Sequence, residues 1–223
     1  MINLNKSKDY FDPKKLGKTK VHIVGCGATG SFLADMLVRS GIDKITLWDF
    51  DIIESHNVVN QLYDNTEVGM LKTDALAARL LKINDSCRII KKGRCAPTDR
   101  LSGYVFLAVD NIDTRRDITT IATKNKQIKA MFDIRLGLED GTILAADWKN
   151  EKDKEQLLAS MCFTHEEAKE ETPTSACGMT LSVSPTVHVL ASLQVANFIN
   201  FINTAKLKKF ATINVFNMFL DSF

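Results

Sequence analysis

Residues 20–63 read KVHIVGCGATGSFLADMLVRSGIDKITLWDFDIIESHNVVNQLY. An apolar run, KVHIVG, leads into the turn Gly25-Cys26-Gly27-Ala28-Thr29-Gly30; an amphipathic segment follows, and a second apolar run, Lys44 to Trp48, ends at Asp49. Strand, glycine turn, helix and strand in that order form a dinucleotide-binding pattern. Gly25 permits the tight exit from the strand, Gly27 lets a pyrophosphate approach the backbone, and Gly30 lets the helix lie close on the sheet. Phe32, Leu33, Met36 and Leu37 recur on one face of a helix predicted over 29–40, with Gly41 as its stop. The free N–H groups and positive dipole end of that helix favour an anion. Asp49 stands where a carboxylate accepts hydrogen bonds from ribose hydroxyls. These features fit NAD and ATP equally, and the distinction has to come from further along the chain.

The chain has 223 residues, with 29 Lys and Arg against 27 Asp and Glu, a net charge of +2. That length buries one substantial core, and no Pro/Gly/Ser-rich linker divides it. One domain is predicted over 20–223, preceded by an N-terminal arm, 1–19, expected to be mobile or to contact a partner, with Tyr10 and Phe11 as candidate anchors. The small net charge and the mixing of lysines with acids argue against nucleic acid. The polar, lysine-rich start carries no cleavable signal, and no apolar run is read as membrane-spanning, so a cytoplasmic protein without a membrane partner is expected. The cysteines, Cys26, Cys87, Cys95, Cys162 and Cys177, are odd in number and irregularly spaced; they are expected as thiols, and without a CxxC pair no structural zinc site is expected.

Strand and helix patterns alternate as far as Phe132, which implies a parallel sheet with right-handed crossovers. Helices are expected at 72–83 and 114–124, and strands at 88–91, 104–108 and 128–132. Leu136 to Leu144 reads as two strands about an Asp140-Gly141 turn, an antiparallel extension of the sheet. The stretch 149–174 is charged and poorly periodic, a long surface excursion with a short helix. A helix over 185–203 is apolar nearly all round, so it belongs in a core or an interface, with His188 an interior residue. The tail, 211–219, reads as a last strand. The fold class is therefore α/β: a Rossmann-like, doubly wound, mainly parallel sheet with an antiparallel C-terminal extension.

The glycine turn and the segment through Tyr63 are followed by Gly69-Met70-Leu71-Lys72 and by Val109-Asp110-Asn111-Ile112-Asp113-Thr114-Arg115. In this order and spacing the motifs resemble the ThiF/MoeB/HesA superfamily, relatives of the ubiquitin-activating enzymes. The resemblance implies ATP and Mg²⁺ as cofactors and adenylation of the C-terminal carboxylate of a small ubiquitin-like or sulfur-carrier protein ending in glycine. It also implies a homodimer. Carried over to this sequence, the nucleotide contacts are Gly25, Gly27, Ala28, Thr29, Gly30, Asp49, Asp51, Asn57, Lys72, Asp110 and Asn111. Lys72 would neutralise triphosphate charge, Asn57 and Gln61 would lie beside the phosphates, and Asp110 would hold the metal. Cys177, before the apolar helix, matches a reactive cysteine found on a crossover loop in several relatives. Its other reading is a small buried hydrophobe.

The chemistry of the residue types agrees. A carboxylate attacking an α-phosphate brings two anions together, so fixed cations and a metal are needed. Lysine at a helix start, as at Lys72, is unfavourable against the dipole and calls for a reason. Asp110 falls just past an apolar strand, at the carboxyl edge where ligands bind in such sheets; its other reading is a cap for the helix that follows. One position departs from the pattern: Asn60 stands where the family has arginine, and an amide supplies no charge to phosphate. Lys14, Lys15, Lys18, Arg115, Arg116 and Arg135 are cations that could replace it. Two other functions stay open on the sequence: an NAD(P)-dependent oxidoreductase, which leaves Asn57, Gln61, Lys72 and Asp110 without roles, and a non-catalytic nucleotide-binding scaffold, which Asn60 favours.

Overall fold

The computed structural model describes residues 2–176, 178 and 180–222. Five parallel strands, β1 (Val21–Val24), β2 (Lys44–Trp48), β3 (Arg88–Lys92), β4 (Gly103–Leu107) and β5 (Ile128–Leu136), lie in the order β3-β2-β1-β4-β5. Strands β6 (Asp140–Asp147), β7 (Phe210–Asn214) and β8 (Phe219–Ser222) continue the same sheet antiparallel. The strand order reverses between β1 and β4. Their carboxyl ends therefore splay around a crevice, the place where open α/β sheets bind ligands.

β1 and β4 are buried on both faces, as parallel central strands must be. Successive side chains point to opposite faces, so Tyr104 and Phe106 join one core and Val105 and Leu107 the other. The first core packs against α1 (Ala28–Arg39), α2 (Lys72–Ile83) and α6 (Ser184–Thr204); Phe106, Phe132 and Phe198 meet at its centre with ring centroids 4.7–5.7 Å apart. The second packs against α3 (Ile112–Ala122) and α4 (Glu151–Ala159). The expected doubly wound sheet is therefore present, with helices on both sides.

Two close approaches set the geometry of the turn. Gly25 has φ +97°, and a Cβ there would stand 2.6 Å from the Ala108 carbonyl oxygen of the neighbouring strand's end. A Cβ at Gly30 would overlap the Gly25 carbonyl oxygen, so α1 can start directly over β1 only with glycine at both positions. The helix ends as its sequence suggests: Ile42 N–H donates to Leu37 O (3.0 Å) and Gly41 N–H to Val38 O (2.9 Å), the paired bonds of a Schellman stop.

Several sequence expectations need correcting. The Asp140-Gly141 pair does not make the hairpin turn: β5 runs to Leu136, the turn is Gly137-Leu138-Glu139, and Gly141 already lies in the ladder opposite Leu136. A Cβ at Gly141 would collide with Leu190, so this glycine serves the close packing of α6. The tail forms two strands, β7 and β8, split by a turn at 215–218 in which Met218 takes φ +53°. The excursion after β6 holds two helices, α4 and α5 (His165–Glu171). His188 is exposed, with its ring 3.9 Å from that of Phe32, because the buried stripe of α6 is Val187, Leu190, Ala191, Gln194, Val195 and Phe198. Among the described residues α6 is also the one helix long and apolar enough to cross a membrane by length and composition. Here its buried stripe lies on α1, β5 and β6. The N-terminal segment is docked: Phe11 and Leu16 are buried in the first core, and Asn203 Nδ2 donates to the Tyr10 carbonyl at 2.8 Å.

His22, in β1, is 4 % exposed and accepts a hydrogen bond on Nδ1 from the Trp48 indole at 3.1 Å. Burial, aided by nearby Lys20, lowers its pKa from 6.5 to about 4. The unfolded chain therefore binds a proton between these values that the folded one refuses, and stability is lost as pH falls through that window. Urea unfolding should show a loss of roughly 3 kcal/mol between pH 7 and pH 4 from this group. The variant His22→Phe should remove that component, and an unchanged slope would contradict the assignment.

Candidate functional site

At the carboxyl ends of β1, β2 and β4 the sequence motifs come together. Gly27 is the N-cap of α1 and uses no side chain; the nearest atom to a Cβ built there is Gln61 Nε2, 4.0 Å away. The first turn of α1 therefore presents its amides to open space, with Ala28 half-buried and Thr29 buried behind them. Asp49 ties this turn to the end of β2: Oδ2 accepts from Cys26 N–H at 2.7 Å and Oδ1 from Asp51 N–H at 2.9 Å. Burial raises the Asp49 carboxyl above its usual range, opposed by these two N–H bonds and by Lys72. Each oxygen keeps a second acceptor position, so the structural bonds leave room for a ribose hydroxyl.

Lys72 is the first residue of α2. Its Nζ lies 3.0 Å from Asp51 Oδ2, and its side chain is only 10 % exposed. An ammonium held there by one half-exposed carboxylate, in the field of Asp49, is a fixed positive charge at the mouth of the glycine turn. Asn57 is buried in a short 3₁₀ helix (Ser55–Val59); its Oδ1 accepts from Glu54 N–H at 3.0 Å, so capping uses the acceptor and leaves the Nδ2 donor. Gln61 Oε1 is buried without a partner among the described residues.

Asp110 is exposed two residues past Ala108. It does not cap α3. Asn111 does so, accepting from Thr114 N–H on Oδ1 at 2.8 Å, which leaves Asn111 only its Nδ2 for a ligand. Among the described residues nothing forms a hydrogen bond or ion pair with Asp110, so its carboxylate is uncommitted. No group of three or more His, Cys, Asp or Glu side chains that could hold a metal occurs among them. A cation at Asp110 would need phosphate oxygens to complete its shell, as magnesium with ATP provides.

The arginines named as replacements at position 60 are committed elsewhere. Arg115 and Arg135 pair with Asp133, and Arg116 binds Asp113 and the carbonyls of Met161 and Phe163. Lys15 donates to Asn203. Lys18 lines a depression of about 340 Å³ with Lys20, Gly103 and Lys129, at the opposite, amino-terminal rim of the sheet. Lys14 follows Pro13, which packs on Gly41 at the far end of α1. Asn60 itself donates to Ser182 Oγ, joining the end of the short 3₁₀ helix to the stretch before α6. Cys177, in that stretch, lies outside the described residues. Sequence reading missed Tyr63, whose hydroxyl donates to the Cys26 carbonyl at 2.7 Å and approaches that of Lys72 at 3.3 Å, binding the glycine turn to α2. Nothing in the spacing marks a buried tyrosine for that task.

A rim of exposed apolar side chains, Phe50, Ile52, Val59, Met70 and Leu71, belongs to the segments that carry Asp49, Asp51, Asn57 and Lys72. Arg94 covers one of them, with its guanidinium carbon 3.8 Å from the Phe50 ring centroid.

Comparison with known proteins bears on the family and the fold. The chain is 32% identical over 137 residues to ubiquitin-like modifier-activating enzyme 5 of Drosophila virilis, covering 61% of this chain and 30% of that protein. It is 30% identical over 120 residues to tRNA threonylcarbamoyladenosine dehydratase of Haemophilus influenzae, covering 50% and 46%. This chain thus spans less than half the length of these relatives. Among solved structures, E. coli MccB with ATP superposes with a TM-score of 0.76 at 20% identity, over 95% of this chain and 65% of that one. A profile of the ThiF family matches residues 6–223, and the chain belongs to that family.

Proposed function

We propose that this chain binds ATP with Mg²⁺ in the crevice between β1 and β4 and adenylates the C-terminal carboxylate of a small, glycine-ending protein or peptide. The observation that carries the reading is Lys72, an ammonium fixed almost out of solvent at a helix start, beside the open amides of the glycine turn. A structural lysine gains nothing from the positive end of a helix dipole, whereas a phosphate-binding one adds its charge to it. The names of the relatives support the chemical class: one is an activating enzyme for a ubiquitin-like modifier, and MccB, a microcin C7 biosynthetic enzyme, has been solved both with ATP and with N-formylated MccA.

In the proposed reaction a carboxylate oxygen forms a bond to the α-phosphorus, the bond from that phosphorus to the bridging oxygen breaks, and pyrophosphate leaves. The amides of residues 27–30 and Lys72 hold the phosphates against the attacking anion, and Asp49 fixes the ribose. Asn57 and Gln61 offer amide donors to the phosphate oxygens. A magnesium ion bound by Asp110 would neutralise charge on the departing pyrophosphate. The apolar rim that includes Ile52, Val59 and Met70 suits a protein partner better than a small metabolite. The reading includes a homodimer, as the family resemblance implies; Lys14 and Lys18 stand at the far rim of their own sheet, so a phosphate contact from either would have to be made to a second copy.

Incubation with Mg-ATP and a glycine-ending carrier should give ATP:pyrophosphate exchange. Lys72→Ala should reduce it on the order of 10²-fold or more without changing the thermal midpoint in the absence of ATP. Failure to bind ATP by calorimetry would end the proposal. Asn60→Arg places a planar charged donor where the family has one, and exchange should rise on the order of 10²-fold. An unchanged rate would show that position 60 has passed from phosphate binding to its contact with Ser182.

A further inference from the structure

Asp110 has no partner of its own within the described residues, so its direction is set by the backbone beneath it. That backbone is held in an unusual way. Arg115, one turn into α3 and 5 % exposed, donates from Nη2 to the Val109 carbonyl and from Nη1 to the Leu107 carbonyl at 3.3 Å. The two acceptors bracket Ala108, the residue against which Gly25 and Gly30 pack. The same guanidinium donates to Oδ1 of Asp133 on β5, a residue with no exposed surface. Asp133 Oδ2 accepts from Arg135 Nε at 2.8 Å, and Arg135 continues to Ser160 O (2.6 Å) and Ser160 Oγ (2.8 Å) at the end of α4.

We propose that Arg115, oriented by Asp133 and Arg135, is a positioning residue that holds Asp110 where it can serve a magnesium–ATP complex. The proposal rests on the role given to Asp110 above. A buried ion cluster is poor evidence of stabilisation, since apolar residues of similar volume often stabilise as well. Apolar residues cannot fix the direction of carbonyl groups. A planar fork of five N–H donors can, and Arg115 spends it on the last carbonyls before the metal-binding candidate. The leucine and valine carbonyls secure one side of the turn, the glycine contacts the other, and the Asn111 cap closes its exit. Groups that orient a metal ligand without touching the metal commonly change its affinity by about 10–100-fold when removed.

The test measures ATP affinity by calorimetry without Mg²⁺ and then across a Mg²⁺ titration, for the wild type, Arg115→Lys and Asp110→Ala. Lysine keeps the charge but cannot reach the two carbonyls and Asp133 together. Because Arg115→Lys could fail to fold, the double variant Arg115→Met/Asp133→Leu replaces the ion pair by apolar volume and gives the same comparison. The expected result is metal-free ATP affinity within about twofold of wild type and a half-saturating Mg²⁺ concentration raised at least ~10-fold, as in Asp110→Ala. A shift in Asp110→Ala with wild-type Mg²⁺ dependence in the Arg115 variants would overturn the inference and leave the proposed function standing. ATP binding with no Mg²⁺ shift in Asp110→Ala would overturn the metal role of Asp110 and this inference with it. Absence of ATP binding in the wild type would overturn the proposed function itself.

Discussion

Everything at the carboxyl edge of the sheet depends on how closely α1, β1 and β4 approach one another. Gly25 passes beside the Ala108 carbonyl and Gly30 sits against the Gly25 carbonyl, with no room for a methyl group at either place. That contact starts α1 directly over the strand end and leaves the amides at Gly27 facing open space. The segments around it are then tied to the turn: Asp49 to Cys26, Tyr63 to Cys26 and Lys72, and Ser31 to Leu62. A phosphate site made from backbone needs this kind of fixed frame, because its donors gain strength only when they do not reorganise on binding.

The distribution of charge follows from the same frame. Most ionic side chains near the crevice are paired with a structural partner, as Arg79 is with Glu67 and Arg115 with Asp133. Lys72 and Asp110 differ from them. Lys72 has only a half-exposed carboxylate beside it, and Asp110 has no partner among the described residues. A fixed cation and an uncommitted carboxylate, one on each side of the helix amides, match the needs of a metal-bound triphosphate more closely than those of a dinucleotide. Asn60, bound to Ser182, shows that the position where the family has arginine makes a contact between two segments here.

Much of this was legible in the sequence for local physical reasons. The glycine turn declares close backbone approaches, and α1 and α2 show their apolar stripes at helical spacing; α2 covers the predicted residues 72–83. What failed depends on distant residues. Gly141 reads as a turn because Asp-Gly usually is one, yet it is a glycine on account of Leu190, far along the chain. The apolar surface of α6 hides which face is buried, so His188 reads as interior although it is exposed. Arg115, Arg116 and Arg135 read as available cations because a sequence does not reveal that Asp133 and the carbonyls of 107, 109, 161 and 163 would engage them. Tyr63 and the burial of Leu16 were invisible for the same reason.

The account predicts a particular place for the triphosphate, and a structure of the protein with Mg²⁺ and a non-hydrolysable ATP analogue tests it directly. Phosphate density over residues 27–30, within hydrogen-bond reach of Lys72 Nζ and with a metal beside Asp110, is the predicted result. Density lying elsewhere, or a crevice that stays empty at saturating analogue, would contradict it.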